Sequence, residues 1–151
     1  LDMTADPPII LRPGWITEEA IARVTGNVAS AAHDEALRRS PGTRHRHYSP
    51  RARVVLVERA DPDFIRSLCA ELLKSGPLAF VGHTRPQIES PDFSSIILED
   101  DAAEYAHSIY WALRALDARA PETILVEGIS ESGQGAAVMD RLRRAASEII
   151  K

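Results

Sequence analysis

Between Ala36 and Val57 the chain contains no Asp or Glu but six arginines, Arg38, Arg39, Arg44, Arg46, Arg51 and Arg53. Its centre, SPGTRHRHYSP from Ser40 to Pro50, adds His45, His47 and Tyr48. The formal net charge is -4, so the rest of the chain carries -10. These residue types suit an anion. A guanidinium fork matches phosphate, an imidazole can donate to it, and a phenol can stack on a base or hydrogen-bond a phosphate. A solvated basic linker is the plainer alternative, since charge runs usually are one. Pro41, Gly42 and Pro50 specify backbone conformation where simple flexibility needs none. From the residues alone, an anion lid and a solvated linker both stay open.

Other candidate chemistry is weaker. GISESGQG, Gly128 to Gly135, lies where a loop after a strand and before a helix could cradle phosphate. Its spacing is not G-x-G-x-x-G, no Walker lysine follows, and Glu131 opposes phosphate, so a loop loosened by glycine is the default. His33, His83 and His107 are scattered, and His45 with His47 lacks nearby carboxylates or thiolates, so no metal site is expected. No serine sits on a G-x-S-x-G elbow, and no catalytic residue is assigned. His107, beside Tyr110 and Trp111, reads as a structural histidine within a helix. Glu99, Asp100, Asp101 and Glu104 complement a helix dipole. Cys69, the one cysteine, sits among Ile65, Leu68, Leu72 and Leu73 as a small core residue of a reduced compartment.

The elements that position these residues follow from hydrophobic period and punctuation. With 151 residues, 44% of them hydrophobic, the chain can bury one domain's core and carry a tail. Ile9 to Leu11 is a short strand hemmed in by prolines, and Thr17 caps a short helix from Glu18 to about Val24, stopped at Gly26. A linker follows to about Arg53, with a turn or two possible around Ala29 to Arg38. Val54–Val57, Leu78–Val81, Ser95–Leu98 and Thr123–Val126 read as buried strands. Asp61 and Pro62 start a helix with a stripe of Phe64, Ile65, Leu68, Cys69, Leu72 and Leu73. Asp100 or Asp101 starts the longest helix, with Ala103, Ala106, Ile109, Tyr110, Leu113 and Leu116 on one face. A closing helix turns Val138, Leu142, Ala145 and Ile149 to the core. Strands alternating with helical crossovers imply a small Rossmann-like three-layer α/β sandwich with a mostly parallel sheet, preceded by a long linker. No apolar run approaches the roughly 18 residues that span a bilayer, and no signal peptide opens the chain, so a soluble cytoplasmic protein is expected. The start at Leu1, without an initiator Met, hints at a preceding segment.

SPGTRHRHYSP resembles the SPGMKYRHYAP linker of the two-domain L-threonylcarbamoyladenylate synthases. LDMTADPPIILRPGWIT resembles the closing strand of their YrdC-like catalytic domain, and AAVMDRLRRAAS resembles their last helix. With EYAHSIYWALRALDA the likeness spans essentially the whole chain.

The resemblance implies a tail of the catalytic domain (1–16), an interdomain linker (17–53) and a C-terminal Rossmann-like domain (54–151). It implies an enzyme that joins L-threonine, bicarbonate and ATP into threonylcarbamoyl-AMP for tRNA modification, with magnesium. Most of the catalytic domain is absent here, so the chain alone is expected to be inactive, to hold no tight cofactor and to contact neither tRNA nor membrane. Arg12 matches the arginine of the LRPG segment at the edge of the ATP site. His47 and Tyr48 match the linker's HY pair, Arg44 takes the place of a linker Lys or Arg, and Ser40, Pro41, Gly42 and Pro50 match the lid backbone. Thr43, His45 and Ser49 stand where Met, Tyr and Ala are common. The rival reading is an autonomous nucleotide- or small-ligand-binding module using the Gly128–Gly135 loop; a third is a purely structural docking domain.

Overall fold

In the computed structural model, residues 1–31, 50–59 and 61–151 are described. Near the start, β1 (Ile9–Ile10) and β2 (Ala29–Ser30) pair in parallel, with α1 (Glu18–Thr25) between them. Thr17 Oγ1 accepts from the Ala20 N–H at 3.3 Å, and Gly26 ends α1 at φ +80°, the left-handed conformation that glycine adopts without strain. The helix was legible in the sequence; β2 was not, because an Ala-Ser pair carries no strand signature. No residue of α1 is buried, and Leu1, Met3, Trp15, Ile16 and Val24 are exposed.

The remaining elements are β3 (Arg53–Val57), α2 (Pro62–Leu72), β4 (Leu78–Gly82), β5 (Phe93–Ile97), α3 (Ala102–Asp117), β6 (Thr123–Glu127), α4 (Gly135–Ala145) and β7 (Glu148–Ile150). Their strands form one fully parallel sheet in the order β5-β4-β6-β3-β7. Side chains alternate across it, and both faces are covered. Val54, Leu56, Val81, Ile124 and Val126 pack with α3 and α4; Val55, Val57, Phe80 and Leu125 pack with α2. Two-sided burial is why these strands read as unbroken apolar runs. The three-layer sandwich is as expected. Its strand order departs from the doubly wound pattern, because β6 inserts between β3 and β4.

The caps follow the sequence. Asp61 Oδ1 accepts from the Phe64 N–H at 2.8 Å, and Asp101 Oδ1 accepts from Ala103 and Glu104 at 3.0 Å each. Asp117 Oδ1 accepts from the Ala52 N–H at 3.0 Å and so ties the entry to β3 against the end of α3.

Four details differ from expectation. Helix α4 stops at Ala145, and Ile149 lies in β7, 40% exposed, because the free edge of β3 accepts a fifth strand there. Tyr110 is 39% exposed while Tyr105 is buried, since the core-facing stripe of α3 runs through Tyr105, Ile109, Ala112, Leu113 and Leu116. His107 lies on the opposite face, exposed, and is no packed core histidine. Phe64, in the first turn of α2, is also exposed.

Candidate functional site

At the carboxyl ends of β4 and β6 lies a buried polar cluster that the sequence reading missed. Glu127 closes β6 and is 3% exposed. Its Oε2 accepts from the His83 and Thr84 N–H groups at 2.8 Å each. Its Oε1 accepts from Thr84 Oγ1 at 2.7 Å and lies 3.2 Å from His83 Nε2. The Tyr105 hydroxyl donates to the Glu127 carbonyl. Burial, reinforced by the Glu127 charge, pushes the Tyr105 phenol well above its ordinary range and the Cys69 thiol up to about 12.

The side chain of Glu127 is admitted by a glycine. Gly82 faces it from β4, leaving the space a Cβ would take. The one available signal was compositional: a carboxylate ending the apolar run TILVE, with a glycine ending LAFV. Because all the donors come from the turn after β4, the carboxylate staples that turn to the sheet's central strand. The connections of β4 and β6 leave toward opposite faces, the crevice where open α/β sheets bind ligands.

The loop between β6 and α4 is clamped beside this crevice. Arg143 donates to both carboxylate oxygens of Glu131, at 2.9 and 2.6 Å, and through Nε to Glu58 at 2.5 Å. These hydrogen bonds hold both carboxyls below the usual glutamate value. At Gly135 a Cβ would fall 1.8 Å from the Ser130 carbonyl oxygen, so only glycine lets the loop close onto the first turn of α4. Glu131 thus pairs with Arg143, in the last turn of α4.

Arg12 lies elsewhere. It lines a cavity of about 790 Å³ between the N-terminal segment and α4, with Trp15, Glu131, Gly133, Asp140 and Arg144 on its walls. Pro50 is half-buried just ahead of β3. The other site residues proposed from sequence, Ser40, Pro41, Gly42, Arg44, His47 and Tyr48, lie outside the described residues. Among the described residues, no group of three His, Cys, Asp or Glu side chains converges on a point that could hold a metal ion, and no helix is long and apolar enough to cross a membrane.

A parallel sheet covered by helices on both faces, with a polar cluster at its carboxyl edge, defines a Rossmann-like α/β domain. Residues 16–147 match the threonylcarbamoyl-AMP synthase C-terminal domain family. The chain belongs to that family. It is 33% identical to the threonylcarbamoyl-AMP synthase of Pyrococcus abyssi over 164 aligned positions, which take in 100% of this chain and 46% of the relative. The chain therefore spans about half the length of that relative. The crystal structure of P. abyssi Sua5 with L-threonine matches 98% of the chain and 45% of that protein at 32% identity, with a TM-score of 0.81. A variant of the same protein, with a neighbouring histidine and tyrosine both changed to alanine, matches 99% of the chain and 45% of its own length at 30% identity and a TM-score of 0.82.

Proposed function

We propose that this chain is the C-terminal, lid-bearing part of a threonylcarbamoyl-AMP synthase, in which 1–16 completes the catalytic domain, 17–53 links the domains and 54–151 is the Rossmann-like domain. The observation that carries this reading is the family match over 16–147, which takes in the linker as well as the sandwich. The apolar residues left exposed in 1–31 support it, because a two-residue strand pair with an unburied helix is too small to be stable alone and fits the margin of a larger body.

In the complete enzyme, threonine, bicarbonate and ATP give threonylcarbamoyl-AMP and pyrophosphate, which serves tRNA modification in the cytoplasm. ATP and magnesium enter through the catalytic domain; the described residues offer no ligand set for the ion. Arg12 and Arg44 oppose phosphate charge. His47 and Tyr48 close over the reacting groups and keep water from a carbamate that hydrolyses readily. Such a lid must reopen for product release. The double variant of the P. abyssi protein replaces a neighbouring histidine and tyrosine, the dipeptide present here as His47-Tyr48.

The test is pyrophosphate release from ATP, threonine and bicarbonate. The isolated chain is expected to release none above a protein-free control. In the two-domain enzyme, Arg44→Ala and Tyr48→Ala are expected to lower product formation with an unchanged circular dichroism spectrum. Full turnover in both variants overturns the lid, and release by the isolated chain overturns the division of labour.

A further inference from the structure

The outward stripe of α3 is charged at both ends and aromatic in the middle. Trp111 is 64% exposed, and Glu104, His107 and Arg114 are exposed on the same face. This face lies opposite the buried Tyr105, Ile109, Ala112 and Leu116, as the helical repeat requires.

The order of these residues is self-complementary. Glu104 and Arg114 are equally distant from position 109, and so are His107 and Trp111. If α3 packs antiparallel against α3 of a second copy, with the two-fold axis crossing at the level of residue 109, Glu104 meets Arg114 of the second copy and His107 meets its Trp111. Each contact occurs twice. The flanks follow the same pattern, because Glu99, Asp100 and Asp101 precede the helix while Arg119 follows it, all exposed. A parallel arrangement would set like charge against like. The antiparallel one also opposes the two helix dipoles.

We propose that this face of α3 is an isologous docking surface for a second copy of the chain, with Trp111 as its anchor. Tryptophan and arginine dominate binding energy at such contacts. A 16-residue helix is only about 24 Å long. The contact therefore falls in the small, transient class, below about 1,200 Å² in total. A dissociation constant of about 10–1,000 μM is expected. The proposal does not depend on the catalytic reading, since it uses only residues on the outer face of the sandwich.

Sedimentation velocity of the 151-residue chain, from about 10 μM to 1 mM at low salt, tests it. Reversible self-association to a dimer is expected. Glu104→Arg alone or Arg114→Glu alone places like charges together twice and is expected to weaken the dimer about tenfold or more. The double reversal, Glu104→Arg with Arg114→Glu, is expected to restore it to within about threefold. Trp111→Ala is expected to leave a monomer. All three substituted positions are exposed, and thermal melts confirm that each variant is folded. A monomer at every concentration overturns the proposal, as does a dimer indifferent to the single reversals or one that the double reversal fails to rescue.

Discussion

Gly82 on β4 sits directly against Glu127 on β6: a Cβ at Gly82 would lie 2.3 Å from Glu127 Oε2 and 2.4 Å from its Cβ. The glycine and the carboxylate form one unit. The missing side chain makes room for the acid, which in turn satisfies the two N–H groups that follow the glycine.

Gly82→Ala is accordingly expected to destabilise the domain by about 1–3 kcal/mol, because neither the strand nor the wedged carboxylate can retreat. Glu127→Ala should cost about 1 kcal/mol for each part-buried N–H it strands, those of His83 and Thr84. In the double variant the added methyl no longer meets the carboxylate, although the Cβ of residue 127 remains beside it, so part of the clash is relieved and the two losses should sum to more than the double variant loses. Urea unfolding of the four proteins measures the coupling; strict additivity would contradict the packing relationship.

Arg143 makes stability depend on acid in a defined direction. Its hydrogen bonds hold Glu58 and Glu131 below their ordinary value of 4.5. Folded-state values below the unfolded ones stabilise fully above the unfolded value, and this contribution is lost as the pH falls through the depressed values. Wild type should therefore exceed Arg143→Met in stability at neutral pH, and the gap should close below about pH 4.5. Arg143 is 33% exposed and Glu131 49%, so solvent screening limits the gap to about 1 kcal/mol. Thermal melts between pH 7 and pH 3 give the profile, and a gap that widens on acidification would reverse the sign argued here.

Cys69 should report global unfolding. Burial first, and the Glu127 charge second, push its thiol up to about 12, so the reactive thiolate is scarce and inaccessible in the folded chain. With a disulfide reagent at pH 8, the native protein should show almost no reaction over minutes. The same chain in denaturant should react with one equivalent. Rapid stoichiometric labelling without denaturant would place the thiol outside the core.

The sandwich was legible where a local rule and tertiary packing agree. Thr17, Asp61 and Asp101 each cap the helix that their position announces; three of the four apolar runs became buried strands, and the one read as Ser95–Leu98 became the half-buried edge strand Phe93–Ile97. The misses have a shared cause. Ile149 continues the helical spacing of Val138 and Leu142, yet its partner is the edge of β3, almost a hundred residues earlier in the chain. Spacing within a segment carries no information about a distant open edge. Glu127 fell just outside the strand read as Thr123–Val126, because what buries it, Gly82 and the turn at His83 and Thr84, is remote in sequence. The arginine-rich segment was visible as composition, but composition could not have disclosed the staple at the sheet's centre.

The insertion of β6 between β3 and β4 has a consequence for biosynthesis. The first two strands of the sheet leave the ribosome as neighbours in time but not in space, and the slat that joins them is made more than forty residues after the second of them begins. Until Thr123–Glu127 has emerged, the nascent domain has two flanks and no spine, so its sheet closes only once most of the domain has been made.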